Sequence, residues 1–268
     1  MSLLMLGAGT AGVVATPLDT FVNGVLAITG ASETNFFWLA QTGDTTTSTT
    51  KDAGARTLTW DADVSARLSA QGDAYIQSFN GTSEYGTAPD TADLSIGNGS
   101  VDEPLSVVCL VSTTDTAVNR RIINKEDNTS AGIEWQVYVT SADVLRFGLR
   151  DTVALVTVFR ASDSAITQGS LRLLAAVYTA ATGGATAMND VTLYQDASAV
   201  ASTATNNASF DATSDTNRVL QIGATGSGTK SQFFSGSMGF IVATKKVLTE
   251  ANLTSIKALA NTYYGLAL

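Results

Sequence analysis

Residues 133–139 and 145–150 alternate strictly between apolar and polar side chains. Ile133, Trp135, Val137 and Val139 are interleaved with Glu134, Gln136 and Tyr138, and Leu145, Phe147 and Leu149 with Arg146, Gly148 and Arg150. A period of two is the pleat of a β-strand, so each run predicts a strand with one dry and one wet face. On a helix the same apolar groups would be scattered around the circumference. Residues 140–143, Thr-Ser-Ala-Asp, join the two runs with hairpin-turn chemistry.

The pattern continues from about residue 35 as short apolar runs separated by clusters of Gly, Asn, Asp, Ser and Thr, the signature of an antiparallel sandwich. Residues 153–159 and 171–178 are more continuously apolar, which predicts central strands covered on both faces. Residues 191–194 turn at 195–198 into a strand at 199–202. Residues 219–222 and 233–242 supply later strands, the last with glycines that permit a bulge. The polar stretch 202–217 reads as a loop. Only 15% of residues are charged, so hydroxyls and amides must solvate the exposed faces. Near the end, Thr249 is placed as an N-cap, Glu250 lies in the first turn and Gly265 just past the last, with Leu253, Ile256, Ala260 and Tyr263 on one face. This predicts one short C-terminal helix docked on the sandwich.

The first 32 residues carry a single charge, Asp19. No Lys or Arg precedes the apolar stretch, which Gly7, Gly9, Gly12 and Pro17 interrupt and which falls short of the roughly 20 residues needed to cross a bilayer. Residues 1–33 are therefore read as an N-terminal apolar attachment arm ahead of one domain at 34–268. Leaving its side chains in water costs about 25 cal/mol per Å², so Leu3, Leu4, Met5, Leu6, Val13 and Val14 are the expected partner contacts. Their partner would be another protein of an assembly or a second copy of the chain.

The residue inventory removes several chemistries. There is no histidine and one cysteine, Cys109, within an apolar run at 104–111. An internal disulfide and a Cys/His zinc site are excluded, imidazole is unavailable as a base, and the thiol reads as a small buried hydrophobe. A net charge of −9 with no basic cluster repels phosphate backbones, so neither nucleic acid nor a membrane span is expected. Glycoside hydrolysis needs two facing carboxylates, and no Glu-x-Asp-x-Glu alternation occurs. Glu84, Asp90, Asp93, Asp102 and Asp127 offer oxygens for calcium but form no dense acidic loop, and they read, with Asp211 and Asp215, as solvated turn acids. No cofactor and no metal are expected. The glycines at 7–9 and 223–228 lack the lysine of a phosphate loop. Trp38, Trp60 and Trp135 lie in strands and are expected in the core, while Tyr85, Tyr138 and Tyr194 are candidates for an exposed sugar platform that the sequence does not bring together.

The order of these elements resembles laminin-G-like domains of the concanavalin A-like lectin/glucanase superfamily. Phe79, the Asn80-Gly81 turn and Tyr85, followed by Asp93-Leu94 and the apolar strand at 105–112, are similar to the opening of such domains. Asp52, Gly54 and Arg56 look like the family's early turn. The likeness continues through 121–125, 135–151, 173–178, 191–194, 221–224 and 233–240, covering residues 34–268 in the order of many weak motifs. It departs at Arg172-Leu-Leu, where many relatives carry His or Trp, and this puts a particular ligand site in doubt. The resemblance implies an all-β, two-sheet antiparallel jelly-roll sandwich that binds rather than catalyses. Joined to the arm, it also resembles accessory virion proteins of tailed bacteriophages. The functional expectation is a non-enzymatic structural or attachment protein, a capsid decoration or tail accessory protein on the particle exterior, with a host glycan as a further partner. The alternative is a carbohydrate-binding lectin module, calcium-dependent or not, on a secreted or surface protein.

Overall fold

The computed structural model describes residues 15–114, 117–126, 132–226 and 228–268. Its strands are, in order, β1 (Thr34–Leu39), β2 (Thr47–Thr49), β3 (Thr57–Trp60), β4 (Leu68–Gln71), β5 (Ala74–Asn80), β6 (Gly86–Ala88), β7 (Leu105–Thr113), β8 (Arg120–Glu126) and β9 (Ile133–Val139). There follow β10 (Leu145–Asp151), β11 (Val156–Ser162), β12 (Arg172–Tyr178), β13 (Val191–Gln195), β14 (Ser198–Ala199), β15 (Ser202–Thr205), β16 (Leu220–Ile222) and β17 (Ser235–Thr244). Helices α1 (Pro17–Thr29) and α2 (Glu250–Tyr264) flank them. Among the described residues every pairing between these strands is antiparallel. One sheet runs β14-β13-β12-β7-β17-β5-β4 with β1 added to β17, and the other runs β15-β11-β10-β9-β8-β16-β6-β3-β2. The fold is the all-β two-sheet sandwich that the alternation predicts.

The dry faces meet between the sheets. Trp135, Val137 and Val139 of β9 join Leu145, Phe147 and Leu149 of β10 in a core that also holds Trp38, Trp60, Cys109, Leu174 and Ile241. All three tryptophans are buried as expected; Trp60 donates to Ser48 Oγ (2.7 Å) and Trp135 to the Leu94 carbonyl (3.0 Å), which satisfies two of the indole N–H groups. Residues 140–143 make the expected turn, with Thr140 N donating to the Val144 carbonyl and Asp143 in the left-handed region. In β17 the register slips between Met238 and Phe240 at the anticipated glycine bulge.

The outer face of the first sheet is closed by both helices. α2 follows its predicted caps: Thr249 accepts from Asn252 N, and Gly265 is left-handed at φ 64°. Its final turn crosses so close to Gly72 that a Cβ there would overlap the Tyr264 backbone. The second helix is a departure from the sequence reading, which has none before residue 34. Thr16 and Asp19 form a reciprocal capping box with Pro17 in the first turn, and Phe21, Val25 and Thr29 are buried at helical spacing. Phe21 stacks on Tyr263 at 4.7 Å and meets Phe37, Phe240 and Tyr264 edge-on. Residues 17–29 of the expected arm are thus part of the folded body. Leu3, Leu4, Met5, Leu6, Val13 and Val14 lie outside the described residues.

Two other stretches differ from expectation. Residues 152–155 form a turn rather than the start of a central strand, and Val153 is 83% exposed. The Asp151 carboxylate accepts from Val153 N and Ala154 N (both 2.8 Å), and Leu155 adopts φ 58°, so the apolar run is interrupted by side-chain capping of the backbone. β11 accordingly lies second from the sheet edge. Within 202–217, residues 202–205 form the edge strand β15 on β11, while the rest folds over the sandwich end and buries Phe210 and Thr213. A polar edge strand has no apolar alternation by which to be recognised.

Candidate functional site

The expected wet face of β9 is not wet. Glu134, Gln136 and Tyr138 are all buried, as are Arg121 and Asn124 of β8 and Gln221 of β16. Register explains the grouping: Arg121, Tyr138 and Arg146 stand side by side on β8, β9 and β10, and Gln221, Asn124, Gln136 and Gly148 form the neighbouring row. Glycine at 148 leaves the space into which Gln136 extends, because a Cβ there would press on its amide. Residues 224–226 and 228–234 close the other side. Asn124 Nδ2 donates to the Ala224 carbonyl (2.9 Å), Arg121 N to the Gln232 carbonyl (3.1 Å), and Lys230 Nζ to Gln221 Oε1 (2.6 Å).

This face carries an alternation of cations and rings. The Arg121 guanidinium lies 4.2 Å from the Tyr138 ring centre, and Arg146 lies 5.6 Å from the same ring and 4.0 Å from Phe159. Arg146 Nη1 donates to the Tyr138 hydroxyl at 3.0 Å. Farther along, Lys230 stands 5.1 Å over Tyr85, whose ring meets Phe233 at 6.4 Å. Each desolvated cation–ring contact stabilises by roughly 0.5–2 kcal/mol and fixes the planes of the flat groups. Phe159, Arg146, Tyr85, Phe233 and Lys230 remain half-exposed, so the strip offers ring faces and N–H donors to solvent. Burial holds the Lys230 ammonium below its usual pKa.

A second polar cluster closes one end of the sandwich. Lys125 Nζ, fully buried, contacts Glu134 Oε1 (2.6 Å), Asp90 Oδ1 (2.8 Å), Ser95 Oγ (2.5 Å) and Asp215 Oδ1 (3.5 Å). Burial opposes its charge, yet Glu134 and Asp90 outweigh that and hold the ammonium above its usual range. Glu134 Oε1 also accepts from the Thr216 amide and hydroxyl (2.8 Å each). Beside it lies a groove of about 460 Å³ lined by Ser95, Asn98, Glu103, Ser214, Asp215 and Lys245.

The acids named from sequence do not converge. Asp102, expected as a solvated turn acid, is buried: it accepts from Thr213 N (2.7 Å), Thr213 Oγ1 (2.8 Å) and the Tyr178 hydroxyl (3.0 Å), so it ties a loop to β12. Asp90 and Asp215 serve Lys125, Asp93 pairs with Arg56, Glu84 lies 3.7 Å from Arg67, and Asp211 N donates to Asp151. Asp127 lies outside the described residues. Among the described residues no group of three His, Cys, Asp or Glu side chains has the spacing to hold a metal ion. Tyr85 and Tyr138 share the cation–ring strip, whereas Tyr194 packs on the other sheet near α2. Arg121, Phe159, Lys230 and Phe233 carry no signal in the sequence that marks them as a site, and Arg146 carries only its place on the polar phase of the 145–150 alternation.

Comparison with known proteins agrees with this architecture. No curated protein sequence matches the chain. The binding domain of Paraclostridial Mosquitocidal Protein 1 superimposes with a TM-score of 0.57 at 12% identity, covering 85% of this chain and 52% of that one. A structure of botulinum neurotoxin type C, whose cell entry is described as dependent upon interaction with two ganglioside molecules, gives 0.57 at 8% identity over 85% and 52%. Trypanosoma rangeli sialidase in complex with the inhibitor DANA gives 0.53 at 9% identity over 83% and 32%. This chain thus spans about half of the toxin chains and a third of the sialidase, and at such identities the likeness is one of fold. The laminin-G-type family model described as the concanavalin A-like lectin/glucanases superfamily matches residues 80–254. With the two-sheet sandwich underneath that match, the chain belongs to the concanavalin A-like lectin/glucanases superfamily.

Proposed function

We propose that this protein is a non-catalytic carbohydrate-binding module that holds a glycan against the outer face of the second sheet. The observation that carries the reading is the strip from Phe159 through Arg146, Tyr138 and Arg121 to Tyr85, Phe233 and Lys230, where ring faces alternate with fixed N–H donors. Sugars have the complementary surface: apolar C–H faces that stack on rings, and hydroxyls that accept from guanidinium and ammonium groups. The two toxin structures, one named a binding domain and one described as interacting with gangliosides, support a binding role for the fold. The reading places the module outside the cell or on a surface, where glycans are displayed. Among the described residues no helix is long and apolar enough to cross a membrane.

The test is a glycan array probed with and without chelator. Retention of a defined glycan set, unchanged by chelator because Lys125 already fills the centre of the acidic cluster, is the expected result. No retention above background on any glycan would refute the reading.

The second proposal is attachment to a larger particle, as in accessory virion proteins, through Leu3, Leu4, Met5, Leu6, Val13 and Val14. Its support is the uncharged apolar run before Thr16. A chain lacking residues 1–14 should then fold but fail to join its assembly, and normal incorporation would refute it.

A further inference from the structure

The cations of the strip are unequally compensated. Arg121 Nε lies 2.9 Å from Glu126 Oε1 and is an ion pair. Arg146 is not: among the described residues its one hydrogen bond is to the Tyr138 hydroxyl, its flat face rests on Phe159, and its Nε is buried with no partner among them. Lys230 reaches only neutral oxygens, Gln221 Oε1 and the Gly226 carbonyl. Among the described residues neither cation has a carboxylate within salt-bridge distance, in a chain of net charge −9. A half-buried cation with no counter-charge loses hydration without recovering it, and such a group is stabilised when an anion arrives.

From this imbalance we infer that the glycan is acidic, and that Arg146 and Lys230 receive carboxylate groups of its sugars. The inference rests on the proposed glycan site and specifies its ligand class. The arginine edge fits a carboxylate, while Phe159 and Tyr138 hold the guanidinium plane so that little rotamer freedom is lost on binding. Arg146 lies on β10 and Lys230 bonds to Gln221 on β16, three strand spacings away, or about 14 Å at about 4.8 Å per step. Two charges that far apart match acidic groups separated along an oligosaccharide. They do not match a continuous polyanion, which the overall negative field repels.

The experiment is calorimetric titration of the full chain with sialyllactose, lactose and sulfated lactose, repeated on Arg146→Gln, Arg146→Lys and Lys230→Gln, with melting curves as the fold control. Loss of one charge-assisted contact corresponds to about a tenfold change in affinity. Sialyllactose should therefore bind about tenfold or more tighter than lactose. Arg146→Gln should bring sialyllactose down to the affinity that the same variant has for lactose, and Arg146→Lys should recover part of the preference. If Arg146→Gln does not fold, a reduced preference in Arg146→Lys carries the same test, and Lys230→Gln is titrated with a disialylated oligosaccharide, whose binding through its second carboxylate it should weaken about tenfold. Equal affinity for sialyllactose and lactose, or a preference that survives in every folded variant, overturns the inference while the glycan site stands. Sulfated lactose binding as tightly as sialyllactose overturns the assignment to carboxylate. If no saccharide binds, the glycan site itself fails.

Discussion

At the residue scale, Asp102 combines three hydrogen bonds with a buried charge. Burial holds its carboxyl above the ordinary 3.8, against the bonds from Thr213 and Tyr178 that pull it down. The folded protein therefore keeps a proton on Asp102 over a range in which the unfolded chain has released it. The stability this group contributes is complete below its unfolded pKa and is lost as pH rises through its folded pKa. Asp102→Asn should keep the Thr213 bonds on Oδ1, with Nδ2 donating to the Tyr178 hydroxyl, and remove that slope, so the stability of the wild type relative to the variant should fall as pH rises from about 4 in denaturant titrations. A constant difference across that range would contradict the assignment. Asp102→Ala should cost about 3 kcal/mol, because the Thr213 amide and the Tyr178 hydroxyl would be left without their acceptor.

At the element scale, α1 is where sequence and structure part most clearly. Its cap was legible: Thr16, Pro17 and Asp19 are a helix start by every rule of spacing. The glycines at 7, 9 and 12 and the lack of charge before it give the sequence around this cap the pattern of a loose apolar run. Thr16→Ala should lower thermal stability by about 1 kcal/mol, and Phe21→Ala, which removes a ring stacked on Tyr263, by about 3–5 kcal/mol. Effects below about 0.5 kcal/mol for both would mean that α1 is not docked. Strands such as β9, β10 and β12 were readable because local alternation or continuous apolar character is itself the cause of their burial. The turn at 152–155 was hidden because Asp151 bonds the next two amides, an interaction with no apolar signature. The covered polar face was hidden for a different reason. The segment that covers it, around Ala224 and Gln232, is distant in sequence from Arg121, Asn124 and Gln136, and only the folded register brings them together.

At the scale of the whole molecule, the two sheets have different duties. The first is covered by α1 and α2 on its outer side and serves packing. The second is backed by the same core; its outer side buries the amides of Asn124, Gln136 and Gln221 and leaves Arg146, Phe159, Tyr85, Phe233 and Lys230 half-exposed around them. Under the proposed glycan reading, a rigid face of this kind would pre-pay the ordering of the ligand contacts, which is the condition for useful affinity from a small interface. The groove beside Lys125 is the competing location, and the two are physically separable. The most direct test of the account is therefore a map of amide and side-chain chemical shifts on adding the oligosaccharide that the protein retains. Perturbations are expected at Tyr85, Arg121, Tyr138, Arg146, Phe159 and Lys230, with Ser95, Asn98 and Asp215 unmoved. Perturbations confined to Ser95, Asn98, Ser214 and Asp215 would contradict it.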